Sequence, residues 1–217
     1  MKRLLVLLIV LPVLSQAQDP ERFAEEIVEI QHKNDSIWDS SRPVVVFTGS
    51  SSVRLWEDLQ MRFPEHQILN TGFGGSQFSD LEHYLNPLVL KYGPARIFIY
   101  EGDNDISDKK RPGRILKTTK RIIQKLQMQL SNPEIVLISP KPSIARWRLR
   151  GKYRRLNRRL AKFAANTQGV RFADVWHPML HNRKLKPNLF IDDGLHMNTM
   201  GYDIWYDVLK EFVDDAK

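Results

Sequence analysis

An aspartate and a histidine near the end of the sequence have the types and spacing of a proton-transfer pair. In Asp192-Asp193-Gly194-Leu195-His196, the Asp193 carboxylate lies three residues before the imidazole. Across a turn, such a carboxylate can fix the tautomer of the imidazole and stabilise its cation when the histidine acts as a base. Asp192 is a rival carboxylate at a spacing of four, and a structural histidine is the alternative interpretation.

A serine follows the first apolar run of the chain after its N-terminal region. Residues 43–48 are mostly apolar and β-branched, and the tetrapeptide Gly-Ser-Ser-Ser at 49–52 comes directly after them. A serine in a tight turn into a helix is exposed, and its backbone N–H lies where negative charge is favoured. An ordinary turn or helix cap is the alternative. Position 53 is Val, so the G-x-S-x-G elbow of α/β-hydrolases is not supported.

Two further segments could donate hydrogen bonds to a developing negative charge. The segment Asn70–Ser76 has three glycines in four positions, which lets backbone N–H groups approach a ligand closely. It matches neither the dinucleotide pattern G-x-G-x-x-G nor a phosphate loop with its lysine, so a plain turn is the alternative. In the segment Glu101–Asp105, the Asn104 amide can donate to an oxyanion, and an Asx-turn is the alternative.

Alternating strands and helices must position these segments. Short apolar runs predict strands, and the stretches between them predict helices, so the sequence indicates an α/β fold with a parallel sheet. An amphipathic helix over 21–31 precedes the sheet. The predicted strands are 43–48, 67–70, 95–100, 134–139 and 170–175, and the predicted helices are 53–62, 79–90, 112–130, 147–166 and 199–214.

The four polar segments each follow a different predicted strand. In open parallel sheets, sites form at the carboxyl ends of the strands. We therefore expect the serine, the glycines, the asparagine and the Asp-x-x-His pair to converge on one edge of the sheet, where together they are far more specific than any one of them.

The order of these segments resembles that of the SGNH hydrolase superfamily, also called the GDSL esterase/lipase family. The resemblance covers roughly residues 43–210 and implies a three-layer α/β/α sandwich with about five parallel strands in flavodoxin-like order. The matching segments are Phe47-Thr-Gly-Ser-Ser-Ser52, Asn70-Thr-Gly-Phe-Gly-Gly75, Gly102-Asp-Asn-Asp105 and Asp193-Gly-Leu-His196.

This resemblance implies a role for each candidate residue. Ser51 would be the nucleophile, His196 the general base, and Asp193 the residue that orients the base. The oxyanion hole would consist of the Ser51 backbone N–H, the Gly75 backbone N–H and the Asn104 side chain.

Gly74 is an alternative to Gly75, because a shift of one residue is open. Ser50 stands where the usual Gly-Asp-Ser-Leu motif has aspartate, and it keeps a small hydrogen-bonding side chain, so we expect activity to be retained. Asp103 and Asp105 are expected to be structural partners of this serine loop.

The activity implied by the resemblance is hydrolysis of carboxylic esters through an acyl-enzyme, with no metal and no cofactor. Short-chain esters and carbohydrate O-acetyl groups are the favoured substrates, because no long apolar lid is evident, and long-chain lipid esters are a variant. His177 and His181 are four residues apart but have no carboxylate motif beside them, so no metal site is expected.

Length and composition restrict the number of domains and the class of protein. A chain of 217 residues suits one domain, and the absence of cysteine excludes a disulfide scaffold, a thiolate metal site and a cysteine nucleophile.

The first 17 residues have the pattern of a signal peptide. Basic residues at 2 and 3 are followed by an apolar run over 4–14 and by small residues before a cut after Ala17, which predicts a signal peptide over 1–17. We expect residues 18–42 to pack on the core as an N-terminal helix, residues 43–217 to form the hydrolase domain, and the protein to be secreted or periplasmic.

The formal net charge of +8 comes from two segments. Lys109–Lys125 holds eight basic residues and Arg146–Lys162 holds nine, and neither contains an acid. Right-handed crossovers would put both predicted helices on one face of the sheet, with arginines on the outer face. The Arg146–Lys162 helix is a candidate for weak contact with anionic polymers, and a solvated surface is the alternative. No nucleic-acid partner and no membrane span are expected. The alternative function is a non-catalytic envelope or polyanion-binding module.

Overall fold

Five parallel strands form the centre of the molecule. The computed structural model describes residues 19–214, so the predicted signal peptide lies outside the described residues. The strands lie in the order β2-β1-β3-β4-β5, which is flavodoxin-like and confirms the predicted fold class. They are β1 (Val44–Gly49), β2 (Gln67–Gly72), β3 (Arg96–Tyr100), β4 (Glu134–Ile138) and β5 (Val170–Ala173).

The register aligns the carboxyl ends of three of these strands. Gly49, the last residue of β1, pairs with Gly72 of β2 on one side and with Tyr100 of β3 on the other. The segments that follow these strands therefore begin side by side at one edge of the sheet.

Alternate side chains of each strand point to opposite faces of the sheet. In β1, Val44 and Val46 belong to one buried core, whereas Val45 and Phe47 belong to the other. Helices cover both cores, which gives the three-layer sandwich. On the Val46 face lie α1 (Ala24–Asp35), α4 (Phe78–His83), α5 (Leu85–Leu88), α7 (Pro112–Gln129) and α8 (Arg150–Ala165), and on the Phe47 face lie α2 (Ser51–Arg54), α3 (Leu59–Arg62) and α9 (Thr199–Asp214).

Two of the predicted helices are each divided in the structure. The stretch 53–62 forms α2 and α3 because the chain turns between them and buries Trp56 against Trp205 of α9. The stretch 79–90 forms α4 and α5, because Pro87 has no N–H that could bond the His83 carbonyl in a continuous helix.

Smaller elements complete the described chain. The short helix α6 (Asp103–Ser107) follows β3, and a two-stranded hairpin joins β6 (Leu180–His181) to β7 (Lys184–Leu185). The hairpin was not predicted, because two-residue strands carry no readable periodicity. From residue 19 to residue 214, no helix is both long enough and apolar enough to cross a membrane.

Candidate active site

Ser51 lies at the first turn after β1, and the preceding glycine makes that turn possible. Gly49 has φ of +127°, and a Cβ on it would lie 2.0 Å from the Tyr100 carbonyl oxygen. Only glycine allows β1 and β3 to approach this closely while the chain turns into α2. Ser51 is therefore presented at the sheet edge as the first residue of α2.

His196 and Asp193 meet Ser51 at this edge. The His196 Nε2 atom is 3.0 Å from the Ser51 Oγ atom, and its Nδ1 atom is 2.5 Å from Asp193 Oδ2. Their order is that of a nucleophile, a base and an orienting carboxylate. The rival Asp192 has no hydrogen bond to His196 among the described residues.

The turn from Asp193 to His196 holds the carboxylate in place. Asp193 Oδ1 accepts hydrogen bonds from the backbone N–H groups of Leu195 at 2.8 Å and His196 at 2.9 Å. Partial burial opposes ionisation, but these bonds and the contact with the His196 ring outweigh it and lower the pKa of Asp193. The carboxylate is thus kept ionised next to the imidazole.

The two candidate glycine donors differ in what they already bond. The Gly74 N–H donates to Glu26 Oε1 of α1 at 3.0 Å. The Gly75 N–H and the Ser51 N–H have no hydrogen-bond partner within residues 19–214. Gly75 also has a positive φ of 71° and is exposed, so its backbone is accessible to a ligand. These contacts favour Gly75 over Gly74.

The third candidate donor, Asn104, has both amide hydrogens in use. Its Nδ2 atom donates to Ser50 Oγ at 2.8 Å and to the Ser76 carbonyl at 2.9 Å. Ser50 therefore supplies a hydrogen-bond acceptor at the position where the common motif has aspartate. Asn104 can reach an oxyanion only by sharing or breaking one of these two bonds.

Arg146 fixes the other end of the Asn104 amide. Its guanidinium donates to Asn104 Oδ1 at 3.0 Å and to Asp103 Oδ1 at 2.6 Å. Its side chain is only 18% exposed. The prediction that Arg146 begins an outward-facing basic helix was wrong, because this side chain turns inward and α8 begins only at Arg150.

Asp103 is the centre of a buried ionic cluster. Besides Arg146, it contacts the hydroxyls of Tyr100 and Tyr153, and the Lys141 Nζ atom lies 4.0 Å from its carboxylate. Burial opposes ionisation of Asp103, but the Lys141 and Arg146 charges prevail and lower its pKa. Burial lowers the pKa of Lys141, and Asp103 opposes this shift.

Lys141 extends this cluster to the histidine loop. Its fully buried ammonium group donates to the Leu195 carbonyl at 2.5 Å, one residue before His196. Lys141 was not among the predicted site residues. It belongs to the polar segment that follows β4, so the rule applied to the other strands, that functional residues follow the carboxyl ends, would have found it.

A second Asp-x-x-His pair has the same local geometry but no serine. The His177 Nδ1 atom contacts the Asp174 carboxylate, which also accepts the backbone N–H of Trp176 at 2.9 Å. His177 is exposed, and its ring nitrogens have no hydroxyl partner within residues 19–214. Within residues 19–214, no group of three His, Cys, Asp or Glu side chains is placed so that it could hold a metal ion.

A polar cavity of about 300 Å³ borders the candidate donors. Gly75 and Asn104, two of the candidate oxyanion donors, form part of its wall. The remaining wall comes from the turn that precedes α1, the glycine loop, the N-cap of α4, the C-terminal end of α6 and the segment after β4, through Arg22, Phe23, Gly74, Gln77, Ser107, Asp108 and Arg146.

The fold is a flavodoxin-like sandwich, and serine, histidine and aspartate are assembled at the carboxyl edge of its sheet. This is the architecture of an SGNH hydrolase. A sequence profile of the GDSL-like Lipase/Acylhydrolase family matches residues 35–204. The chain therefore belongs to the GDSL-like lipase/acylhydrolase family, and it is a carboxylic ester hydrolase.

Solved structures support the same fold. A Streptococcus pneumonia protein provisionally named as a platelet activating factor is 25% identical, with a TM-score of 0.77 over 89% of this chain and 95% of that one. A GDSL-like lipase from Bacteroides thetaiotaomicron is 20% identical, with a TM-score of 0.72 over 92% and 98% of the two chains. A catalytic mutant of Axe2, an acetylxylan esterase from Geobacillus stearothermophilus, is 16% identical, with a TM-score of 0.66 over 80% and 95%. Among curated protein sequences, none matches.

Proposed function

We propose that this protein is a serine esterase that cleaves short-chain carboxylic esters, carbohydrate O-acetyl groups in particular, through an acyl-enzyme on Ser51. The observation that carries the proposal is the continuous hydrogen-bonded series from Ser51 Oγ to His196 Nε2, and from His196 Nδ1 to Asp193. The non-catalytic alternative gives no reason for a buried lysine and an ionised carboxylate to be arranged around such a series.

The first half of the reaction forms the acyl-enzyme. His196 takes the Ser51 proton at Nε2 as the hydroxyl oxygen attacks the ester carbonyl carbon. Asp193 keeps the proton on Nδ1 and stabilises the imidazolium. The imidazolium then protonates the leaving alcohol, and the carbon–oxygen bond to that alcohol breaks. Water repeats the sequence on the acyl-enzyme and releases the acid.

The oxyanion is stabilised by three donors in this proposal. The Ser51 and Gly75 N–H groups are available without rearrangement. The Asn104 amide joins them when its bond to Ser50 Oγ lengthens, which the developing negative charge favours. One such donor is worth on the order of 3 kcal/mol of barrier.

The preference for short acyl groups rests on the cavity beside the donors. Its largely polar wall suits an acetyl group or a small polar neighbour better than a long alkyl chain, which would need an apolar lining. The likeness to an acetylxylan esterase agrees with this preference.

Hydrolysis of nitrophenyl esters of increasing chain length, together with acetylated sugars, tests the proposal. Ser51→Ala and His196→Ala are each expected to lower kcat by a factor of about 10⁴ or more. His177→Ala is the matched control, because His177 has the same Asp-x-x-His geometry without a serine, and it should retain activity. Activity that persists in both Ser51→Ala and His196→Ala would overturn the mechanism, and a preference for long chains would overturn the substrate class.

We also propose that the protein is exported, on the basis of the predicted signal peptide over residues 1–17. N-terminal sequencing of the mature protein from its native host is expected to begin at Gln18. Recovery of an intact N-terminus from the cytoplasm would contradict export.

A further inference from the structure

A basic groove lies between the N-terminal ends of α7 and α8, beside the candidate active site. It encloses about 480 Å³. Within residues 19–214, no carboxylate and no aromatic ring lines it. Its wall consists of Lys109, Lys110, Arg111, Pro112, Gly113, Arg114, Lys152, Arg155 and Arg159.

The cations of this groove are almost all unpaired. Lys110 forms an ion pair with Asp105 at 3.2 Å, but the other six have no carboxylate partner within residues 19–214. By contrast, Arg121, which also lies on α7, is paired: its guanidinium donates to the two Glu82 carboxylate oxygens at 2.6 and 2.5 Å. Like charges held this close repel one another, and an anion in the groove would remove that repulsion.

The position of the groove connects it with the ester-binding edge. Both α7 and α8 follow strands at their carboxyl ends, so their N-termini lie on the same edge of the sheet as Ser51. Asp108 lines the cavity next to Gly75 and Asn104, and the next residue, Lys109, lines the groove. The positive ends of two long helix dipoles add to the side-chain charge.

We infer that the groove binds a linear acidic polysaccharide and brings its ester substituents to Ser51. The binding step stands on the groove alone, whereas the delivery of esters rests on the proposed function. Guanidinium groups match carboxylates through two parallel hydrogen bonds, which suits a polymer that carries repeated carboxylates.

Two other polyanions fit the groove less well. A membrane surface would favour exposed apolar side chains around the cations, and the large exposed apolar residues of the described chain lie outside the groove wall. Single-stranded nucleic acid would favour aromatic rings for base stacking, and none of the described residues that line the groove is aromatic.

Two triple variants test the inference with the same change in net charge. The groove variant is Arg114→Gln, Arg155→Gln and Arg159→Gln, and the control variant is Lys117→Gln, Arg154→Gln and Arg158→Gln. All six side chains are exposed, and the control residues lie on the same two helices outside the groove. Both sets are made with and without Ser51→Ala.

Binding of polygalacturonate at low salt is the readout. The groove variant is expected to bind roughly tenfold more weakly than the wild type, and the control variant within about threefold of it. Wild-type affinity is expected to fall steeply as salt is added. Hydrolysis of nitrophenyl acetate should be equal in the two triple variants and the wild type.

Several results would overturn the inference: equal losses in both variants, binding indifferent to salt, or tighter binding to phosphatidylglycerol vesicles or DNA than to polygalacturonate. Failure of the proposed esterase is separable from these outcomes. If Ser51→Ala leaves hydrolysis intact but the groove variant still loses polygalacturonate binding, the binding site stands and the delivery step does not.

Discussion

At the residue scale, Asn104 is the group whose resting contacts differ most from the role we propose for it. Both of its amide hydrogens are bonded, one to Ser50 and one to Ser76. The bond to Ser50 holds the amide beside Ser51 before substrate arrives. When an oxyanion forms, its full negative charge is a stronger acceptor than a hydroxyl oxygen, so the amide hydrogen should turn toward it.

We therefore predict that Asn104→Ala lowers kcat for nitrophenyl acetate by about 10²- to 10³-fold, while KM changes by no more than a few fold. The reason is that the amide acts mainly on the charged transition state. Asn166→Ala serves as the control, because its side chain is exposed and its hydrogen bond within residues 19–214 goes to the Lys162 carbonyl. A fall in kcat of less than about fivefold would remove Asn104 from the oxyanion hole.

At the element scale, three loops that are far apart in the chain are joined by two cations, the buried Lys141 and the partly buried Arg146. Arg146, from the loop after β4, bonds both Asp103 and Asn104 after β3. Lys141, from the same loop, reaches the Leu195 carbonyl in the histidine loop. Arg146 thus holds the loop after β3, and Lys141 holds the histidine loop. Because both cations belong to the loop after β4, this loop fixes the positions of the other two relative to each other.

We predict that Arg146→Lys lowers kcat about tenfold without abolishing folding, since an ammonium group cannot bond Asp103 and Asn104 together as the planar guanidinium does. Arg146 is a positioning residue in this prediction, so KM should change less than kcat. The control is Arg148→Lys, an exposed neighbour. If Arg146→Lys lowers the melting temperature but leaves kcat unchanged when kcat is measured well below that temperature, Arg146 has only a structural role.

At the scale of the whole molecule, one buried carboxyl makes folding stability depend on pH. Glu101 is fully buried after β3, where its Oε1 atom accepts a 2.6 Å hydrogen bond from Ser76 and its Oε2 atom has no hydrogen-bond partner among residues 19–214. Burial, reinforced by the nearby Asp105 carboxylate, raises the pKa of Glu101 well above its usual value. The folded protein therefore holds this proton to a higher pH than the unfolded chain does.

The sign of the effect follows from the order of proton release. Below about pH 4.5, Glu101 is protonated in both states and burial adds no ionisation cost. As pH rises, the unfolded chain loses the proton first, so this group lowers the free energy of unfolding by roughly 1 kcal/mol per pH unit until its folded pKa is reached.

Glu101→Gln should remove this loss, because the amide does not ionise. We predict that the stability of the variant relative to wild type increases from pH 4.5 towards pH 8, as measured by denaturant unfolding at each pH. Glu25→Gln, at an exposed position, should follow the wild-type curve. Parallel curves for Glu101→Gln and wild type would show that Glu101 is ionised in the folded protein.

Local patterns in the sequence were enough to predict the class of fold and the segments that carry the candidate chemistry. Apolar runs of strand length alternating with amphipathic stretches are local patterns, so the five strands and the long helices α7, α8 and α9 were predicted within a few residues of their observed bounds. The Asp-x-x-His spacing is also local, because one turn brings Asp193 to His196.

The choice of hydrogen-bond donors and the direction of the supporting side chains depend on long-range contacts. The choice between Gly74 and Gly75 depends on Glu26, a residue of α1 that is 48 positions from Gly74 along the chain. The inward direction of Arg146 depends on a buried carboxylate after another strand. Such contacts join residues that are distant in sequence and near in space, so no period or spacing in the chain could have shown them.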